Sequence, residues 1–572
     1  MKYATIDIET TGLNRYKEKI TYIGISRHDW KDVDSKPIKL GERIFKSSEG
    51  FAGFKEYCEK LRQQKYKIIF QNGKFDTLFI ELHLGVKLPI HHDVMVMGTA
   101  YDLSAEHGLK AMAKSYLGVD DWDISTKEKT KADDSKVIPY LQLDLKYTFE
   151  LFVYFTRRMS PAQRSVYEKL LKPAYLMYRD VERKGIYIST EELEAVRQQY
   201  REEEQNKLKA LKKVYDINWN SPQQVADALF NKAGLPVQKL SERTGRPSAD
   251  AKVLKKLAAK GYELAQMLLD YKFYYGANTK FLNKWGEYAA HDGRIHPNFN
   301  ITNVVTGRTS CSDPNLQQVP RNKELRSLYH APKGRVFIEA DYSQLELRIA
   351  ADYANEPTML KIYREGGDIH TETAKSLSGT DTPTKEQRNK AKAVNFGFLY
   401  GMSAKGFIDY AFDSYGQVFT KAEAEKYREL FFAKYNRLLP WHEEMAIECE
   451  MLGGVANRFG RFRHLPKIYS NEGWERGEAV RRAINTPVQG TGSDLLLLAA
   501  IQIHKELGPK YDVTIVGTVH DSILAECPEE YKDVVEKEIR RIMCHPDALD
   551  DFGVTFKVPL DCDVGIGPWG TH

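Results

Sequence analysis

The chain has few cysteines, no internal repeat and no long apolar run. Its six cysteines are Cys58, Cys311, Cys449, Cys527, Cys544 and Cys562, and none forms a C-x-x-C pair. That argues against a zinc ribbon or a thioredoxin-like redox site, and scattered thiols fit a reducing compartment. The longest apolar run, Leu495 to Ile503, is about half of what a membrane span needs. It reads as a buried helix, and no membrane association is expected. The N-terminus, MKYATIDIETTG, has no cationic stretch followed by an apolar core, so no signal peptide is expected. Neither charge dominates: 84 Lys+Arg face 79 Asp+Glu, a net +5. This excludes an acidic solvating tail and a histone-like polycation, and leaves local basic patches open to nucleic acid.

What is present is an ordinary globular composition, 42% hydrophobic and 28% charged over 572 residues. At roughly 150 residues per domain, that length suggests about four folding units. Residues 2–8 and 67–70 read as strands and 140–158 as a helix, giving the first 160 residues an α/β character. From about 160 to 290 the pattern is helical and highly charged. The stretch EELEAVRQQYREEEQNKLKALKKVY has polar residues on every face and opposite charges four apart, so it is expected to project into solvent or lie along a partner. A turn-rich stretch, 291–322, follows. Residues 335–342 read as a buried strand, 385–400 as a helix, 476–505 as a helix containing Pro487, and 513–527 as a hairpin.

Two constellations carry chemistry. Asp7 and Glu9 are two apart on a predicted strand, so both face one side. Adjacent carboxylates repel unless cations sit between them, and oxygen-only ligands favour hard ions such as Mg²⁺ or Mn²⁺. Asp76 follows in NGKFD, and Asp144 lies four after Tyr140 on one helical face. The segments DIETTG, NGKFD and Y-x-x-x-D resemble, in order, the three motifs of the DEDD-type 3′–5′ exonucleases of the tyrosine subgroup. The resemblance implies two metals bound by Asp7, Glu9, Asp76 and Asp144, one acidifying the attacking water and one stabilising the leaving oxygen. Tyr140 would orient that water, and the 3′ end of a single DNA strand would be the substrate.

The second constellation joins Asp341, at the end of an apolar strand, with Asp521, at a hairpin tip. DYSQLELR (341–348), RNKAKAVNFGFLYG (388–401) and VHDS (519–522) resemble motifs A, B and C of the family A DNA polymerases. TGRTSCSDPNLQQVP (306–320), GGDIHTETA (366–374), RRAINTPVQG (481–490) and VGIGPWGTH (564–572) resemble supporting segments. The implied fold is multi-domain, α/β and α+β: a ribonuclease H-like exonuclease domain (1–160), then a right-hand polymerase domain (161–572). Within the latter, the thumb is expected at about 178–290, the palm at about 291–352 and 440–572, and the fingers at about 353–439. The start of the exonuclease motif at residue 7 suggests a large-fragment type, bacterial or phage-like, without a 5′-nuclease domain.

By the same resemblance, two Mg²⁺ ions, with Mn²⁺ able to substitute, are held by Asp341, Asp521 and the Tyr342 carbonyl, matching the pair expected at the exonuclease site. Arg388, Lys392, Phe396 and Tyr400 recur every four residues and form a slowly winding helical stripe. The two cations suit the phosphates of a dNTP; Phe396 would pack on its base and sugar, and Tyr400 would stack near the template base. The resemblance further implies dNTP contacts at Gln344 and His370, and a Glu346 that excludes a ribose 2′-hydroxyl. Arg308, Asn315, Gln317, Arg481, Asn485, Gln489 and His520 match positions that touch primer-template DNA. Minor-groove acceptors are common to every Watson–Crick pair, so donors there check shape without reading sequence. Two departures stand out. Ser522 replaces the usual glutamate after the motif C aspartate, and Thr518 replaces a common glutamine. The expected protein is a monomeric, cytoplasmic proofreading DNA polymerase. The competing expectations are an exonuclease with a non-catalytic nucleic-acid-binding C-terminal region and a single-subunit RNA polymerase; Glu346 in its DYSQLELR context favours deoxynucleotides.

Overall fold

The computed structural model describes residues 1–124, 133–241 and 244–571. His572, the end of the last supporting segment, lies outside the described residues. The chain forms two compact units. The first combines Met1–Lys184, Pro297–Asp313 and Ile338–Gly565; the second combines Gly185–His296, Pro314–Phe337 and Ile566–His572. All six cysteines are free thiols. No described helix is long and apolar enough to cross a membrane.

The first unit opens with a five-stranded sheet. Its strands are β1 (Lys2–Thr10), β2 (Ile20–Asp29), β3 (Ile38–Lys46), β4 (Lys67–Phe70) and β5 (His92–Asp93), in the order β3-β2-β1-β4-β5. β1 pairs antiparallel with β2 and parallel with β4. β4 turns tightly into helix α1 (Gly73–Leu84). A Cβ on Gly73 would lie 2.4 Å from the Phe70 side chain, so this turn requires glycine. Helix α2 (Asp134–Arg158) buries Val137, Tyr140, Leu141, Asp144, Leu145 and Thr148, the three-and-four spacing of a helix laid on a sheet. Gly24, the cross-strand partner of Asp7, admits it: a Cβ there would lie 2.7 Å from Leu145 Cδ1. Helix α3 (Lys172–Lys184) packs on α1.

The same unit holds a four-stranded sheet built from β6 (Arg335–Tyr342), β7 (Thr514–Val519), β8 (Ser522–Pro528) and β9 (Cys562–Ile566), in the order β7-β8-β6-β9. β7 and β8 form the expected hairpin around the two-residue turn His520–Asp521. His520 sits at φ +55°, the left-handed backbone that such tight hairpin turns use. After β6, helix α4 (Leu345–Ala354) begins, followed by α5 (Ile369–Ser378) and α6 (Lys385–Leu399). α6 starts in a reciprocal capping box of Thr384 and Gln387. Helix α7 (Gly473–Gln502) is the long one anticipated around Pro487, and Leu495–Gln502 are all buried. Helix α8 (Lys532–Cys544) follows β8.

The second unit packs helix Thr190–Val214 against Glu263–Ala277 around a core of Leu211, Trp219, Val225, Leu229, Leu254, Leu268 and Tyr271. This corrects the expectation of a helix polar on every face. Leu193, Tyr200 and Leu211 form a sparse buried seam, too thin to stand out among the charges of that stretch. Trp569 is buried against Tyr329, with the Arg326 guanidinium 4.5 Å from its ring centroid.

Candidate active sites

The first sheet brings its acids together. Ligand oxygens of Asp7, Glu9 and Asp144 all lie within 4.8 Å of one another. Asp76, on the first turn of α1, is drawn alongside by a 3.0 Å hydrogen bond from the Ile8 N–H to its Oδ1. Burial raises the Asp7 carboxyl well above its ordinary pKa; the charges of Asp144, Asp76 and Glu9 raise it further, and Lys110 partly offsets them. Asp76 is also raised, by burial first and by Asp93 and Glu9 after it. Such a set stores repulsion that a hard divalent cation relieves, and all its donors are oxygens, so the residues fit such an ion. Tyr140 lies at the same place, its phenol raised by burial and then by Asp144, Glu9 and Asp7.

Three residues here were not singled out in the sequence. Lys110 binds Asp144 at 2.9 Å and 3.2 Å and also donates to the Tyr140 hydroxyl. Trp122 donates its indole N–H to Asp144 Oδ1 at 2.7 Å. Asp93 takes the Gly73 N–H at 2.7 Å and so holds the start of α1. Lysine and tryptophan outside the three motifs carry no spacing signal; the lone trace of Asp93 is its capping position before a short helix.

The second sheet brings Asp341 and Asp521 to the ends of neighbouring strands. The Tyr342 N–H donates to the Asp521 carbonyl at 3.2 Å, and Ser522 Oγ donates to Asp341 Oδ1 at 3.1 Å. The Asp521 carboxyl is pushed up to about 6 by burial first, then by Glu346 and Asp341, with Arg308 pulling the other way. The Tyr342 ring is buried and its hydroxyl bonds the Met543 carbonyl at 2.7 Å, so only its backbone is available to the site. Glu346 is clamped: Arg308 binds one oxygen and the Tyr400 hydroxyl donates to the other at 2.6 Å. The turn carrying Arg308 is itself fixed, because Arg461 and Ser493 both donate to the Gly307 carbonyl and Arg461 pairs with buried Asp494 at 2.7 Å.

Arg388, Lys392 and Phe396 on α6 and its C-cap residue Tyr400 are all partly exposed, while most residues between Ala391 and Leu399 are buried. Arg388 Nε donates to Asp368 Oδ2 at 2.6 Å. Burial alone would raise Asp368, but hydrogen bonds from Arg388, Thr371 and the His370 N–H outweigh it and hold it well below the usual range. Gln344, at φ +54°, donates to the same carboxylate at 3.2 Å. His370 is buried, which lowers its pKa to about 4. Asn395 gives its amide N–H to His370 Nδ1 at 2.8 Å, leaving Nε2 as the protonated nitrogen of the neutral ring. Arg481, Asn485 and Gln489 share the accessible face of α7, whose intervening residues 483, 484 and 486–488 are buried. Asn315 and Gln317 belong to the second unit, where the Asn315 side chain caps the Gln317 N–H at 3.0 Å.

Residues 189–571 match the family model described as DNA polymerase family A, and residues 1–160 match one described as 3′–5′ exonuclease. The chain belongs to DNA polymerase family A. Among family relatives, a DNA polymerase I of Aquifex aeolicus is 30% identical over 94% of this chain and 92% of its own length. A DNA polymerase I of Pseudomonas aeruginosa is 30% identical over 98% of this chain, which spans 62% of that relative's length. A DNA polymerase of Bacillus phage SP01 is 27% identical over 98% of this chain and 71% of its own. The POL domain of Pol1 from M. smegmatis, solved with DNA primer-template and dNTP, superposes with a TM-score of 0.81 at 22% identity, covering 100% of this chain and 95% of that one. The family A fold thus spans the whole chain. The two departures from the family's usual motif C have partners of their own: Ser522 bonds Asp341, and Thr518 bonds the Tyr178 hydroxyl at 2.8 Å.

Proposed function

We propose that this chain copies DNA from a template using dNTPs and removes misplaced 3′ nucleotides. The observation that carries the reading is the meeting of Asp341, on β6, with Asp521, in the turn that leads into the neighbouring strand β8, in a chain whose first sheet gathers a second, separate acidic cluster. Phosphoryl transfer at a triphosphate mainly requires positioning and charge neutralisation. When bound, two Mg²⁺ ions at each site would supply the neutralisation and the activation of the 3′-hydroxyl or the water. Asp341, Asp521 and the Tyr342 carbonyl would hold them at one site, and Asp7, Glu9, Asp76 and Asp144 at the other.

Arg388 and Lys392 would grip the triphosphate, with the His370 Nε2–H as a neutral donor beside them. Phe396 and Tyr400 would pack on the nucleotide, and the clamped Glu346 would exclude a 2′-hydroxyl. Arg308, Arg481, Asn485 and Gln489, with Asn315, Gln317 and His520, would contact the primer-template. The thumb, palm and fingers would follow the boundaries expected from the sequence, and the protein would work as a monomer. The relatives come from bacteria and a bacteriophage, which fits work on DNA in a bacterial cytoplasm.

The deciding experiment is primer extension from a mismatched terminus, with and without dNTPs. Asp341→Ala is expected to abolish extension and spare degradation; Asp7→Ala is expected to do the reverse. Extension by Asp341→Ala at near wild-type rate would overturn the assignment of the synthetic site, and failure of the wild-type chain to extend would leave the exonuclease reading with a non-catalytic C-terminal region.

A further inference from the structure

In the first acidic cluster, the position where a divalent cation would be expected to approach Asp144 is already contested. The Lys110 ammonium spans both Asp144 oxygens, at 2.9 Å and 3.2 Å, and donates to the Tyr140 hydroxyl. It is enclosed by rings on two sides, 4.3 Å from the Tyr140 centroid and 5.1 Å from that of Trp122. Trp122 also occupies Asp144 Oδ1 through its N–H. The Asp144 side chain is 6% exposed and that of Lys110 is 25% exposed, so the lysine has an open path outward and the carboxylate does not.

We infer that Lys110 is a positioning residue of the exonuclease centre, a resident counter-ion that neutralises Asp144 and steadies the Tyr140 phenol until a divalent cation displaces it. The inference rests on the exonuclease reading above. It requires no change of protonation: the ammonium swings off Asp144, outward or wholly onto the Tyr140 oxygen, and the freed carboxylate oxygens join those of Asp7 and Glu9. While the lysine is present, a cation must break that ion pair to bind. Two like charges also compete for one acidic cluster, which weakens the binding of the incoming ion. The aromatic walls keep the displaced ammonium nearby, so it can return when the metal leaves.

The test is Mn²⁺ binding followed by the loss of the free-ion electron spin resonance signal. The entire 572-residue chain carrying Asp341→Ala and Asp521→Ala is used, so that the second sheet contributes no tight site. Adding Lys110→Met is expected to tighten the remaining site by about tenfold, the scale for removing one unit charge beside a buried carboxylate. Adding Lys110→Arg, which restores the charge, should return the affinity to that of the parent. Equal or weaker binding in Lys110→Met would overturn the inference, and so would an arginine variant that behaves like the methionine one. Adding Asp7→Ala should abolish the tight site. If the site survived, the assignment of the exonuclease centre itself would fail, an outcome distinct from failure of the lysine's role.

Discussion

The Ser522 hydroxyl donates to Oδ1 of Asp341 across 3.1 Å, tying the first residue of β8 to the acidic end of β6. The family usually has a carboxylate where Ser522 stands. Here a neutral donor orients Asp341 and adds no further negative charge to the site.

Removing that donor should misorient Asp341. A neutral hydrogen bond of this kind contributes about 1 kcal/mol, so Ser522→Ala is expected to slow synthesis by roughly two- to tenfold while strand degradation is unchanged. Single-turnover nucleotide addition measures the first effect and degradation of a single strand the second. An unaltered addition rate would mean that Asp341 holds its orientation without Ser522.

Glu346 offers a test of exclusion by bulk. Arg308 and Tyr400 fix both its oxygens, so its side chain cannot rotate away from an incoming sugar. Glu346→Ala should raise relative ribonucleotide incorporation by roughly 10- to 100-fold, the range that a hydroxyl-rejecting contact spans. Glu346→Gln keeps the volume and one acceptor for Tyr400, and should keep the discrimination. Equal selectivity in Glu346→Ala and wild type would remove the steric argument.

Gly24, on β2, sets how closely α2 approaches the first sheet. With Leu145 Cδ1 only 2.7 Å and Leu141 Cγ 3.0 Å from an added Cβ, Gly24→Val must push away the helix that carries Tyr140 and Asp144. Overpacking of this kind costs about 1–3 kcal/mol. Degradation should fall at least tenfold while primer extension persists, and thermal unfolding should report the loss of stability.

Asp521 predicts how the metal-free protein responds to pH. Its folded pKa of about 6 lies above the ordinary 3.8, through burial first and then the charges of Glu346 and Asp341. Between those two values the folded state binds more protons than the unfolded one. Stability therefore falls as pH rises from about 4 to about 6 and levels off above. The loss is on the order of 2–3 kcal/mol. In the presence of chelator, Asp521→Asn should melt higher than wild type at pH 7.5 and show a flatter profile across that window. Identical melting profiles would contradict the environment described for Asp521.

Much of this protein is legible in its sequence because its signals are local. The alternation of DIE on β1, the four-residue stripe from Arg388 to Tyr400 and the hairpin around His520 and Asp521 all follow from spacing over a few residues. The buried seam of helix Thr190–Val214 is not legible in the sequence, because its three buried side chains are outnumbered by charges and burial depends on the partner helix, which periodicity does not supply.

The residues of the motifs, their order and the faces they share were determined by the sequence alone, since backbone geometry fixes the period of each element. Only the tertiary structure decided which groups meet across separations of 20 to 181 residues. It paired Lys110 with Asp144, Arg388 with Asp368, Ser522 with Asp341, and Arg308 and Tyr400 with Glu346. The physical reason is that electrostatic partners are chosen by proximity in a low-dielectric interior, and proximity between distant segments is set by packing, as where the bare Cα of Gly24 lets a helix settle onto a strand.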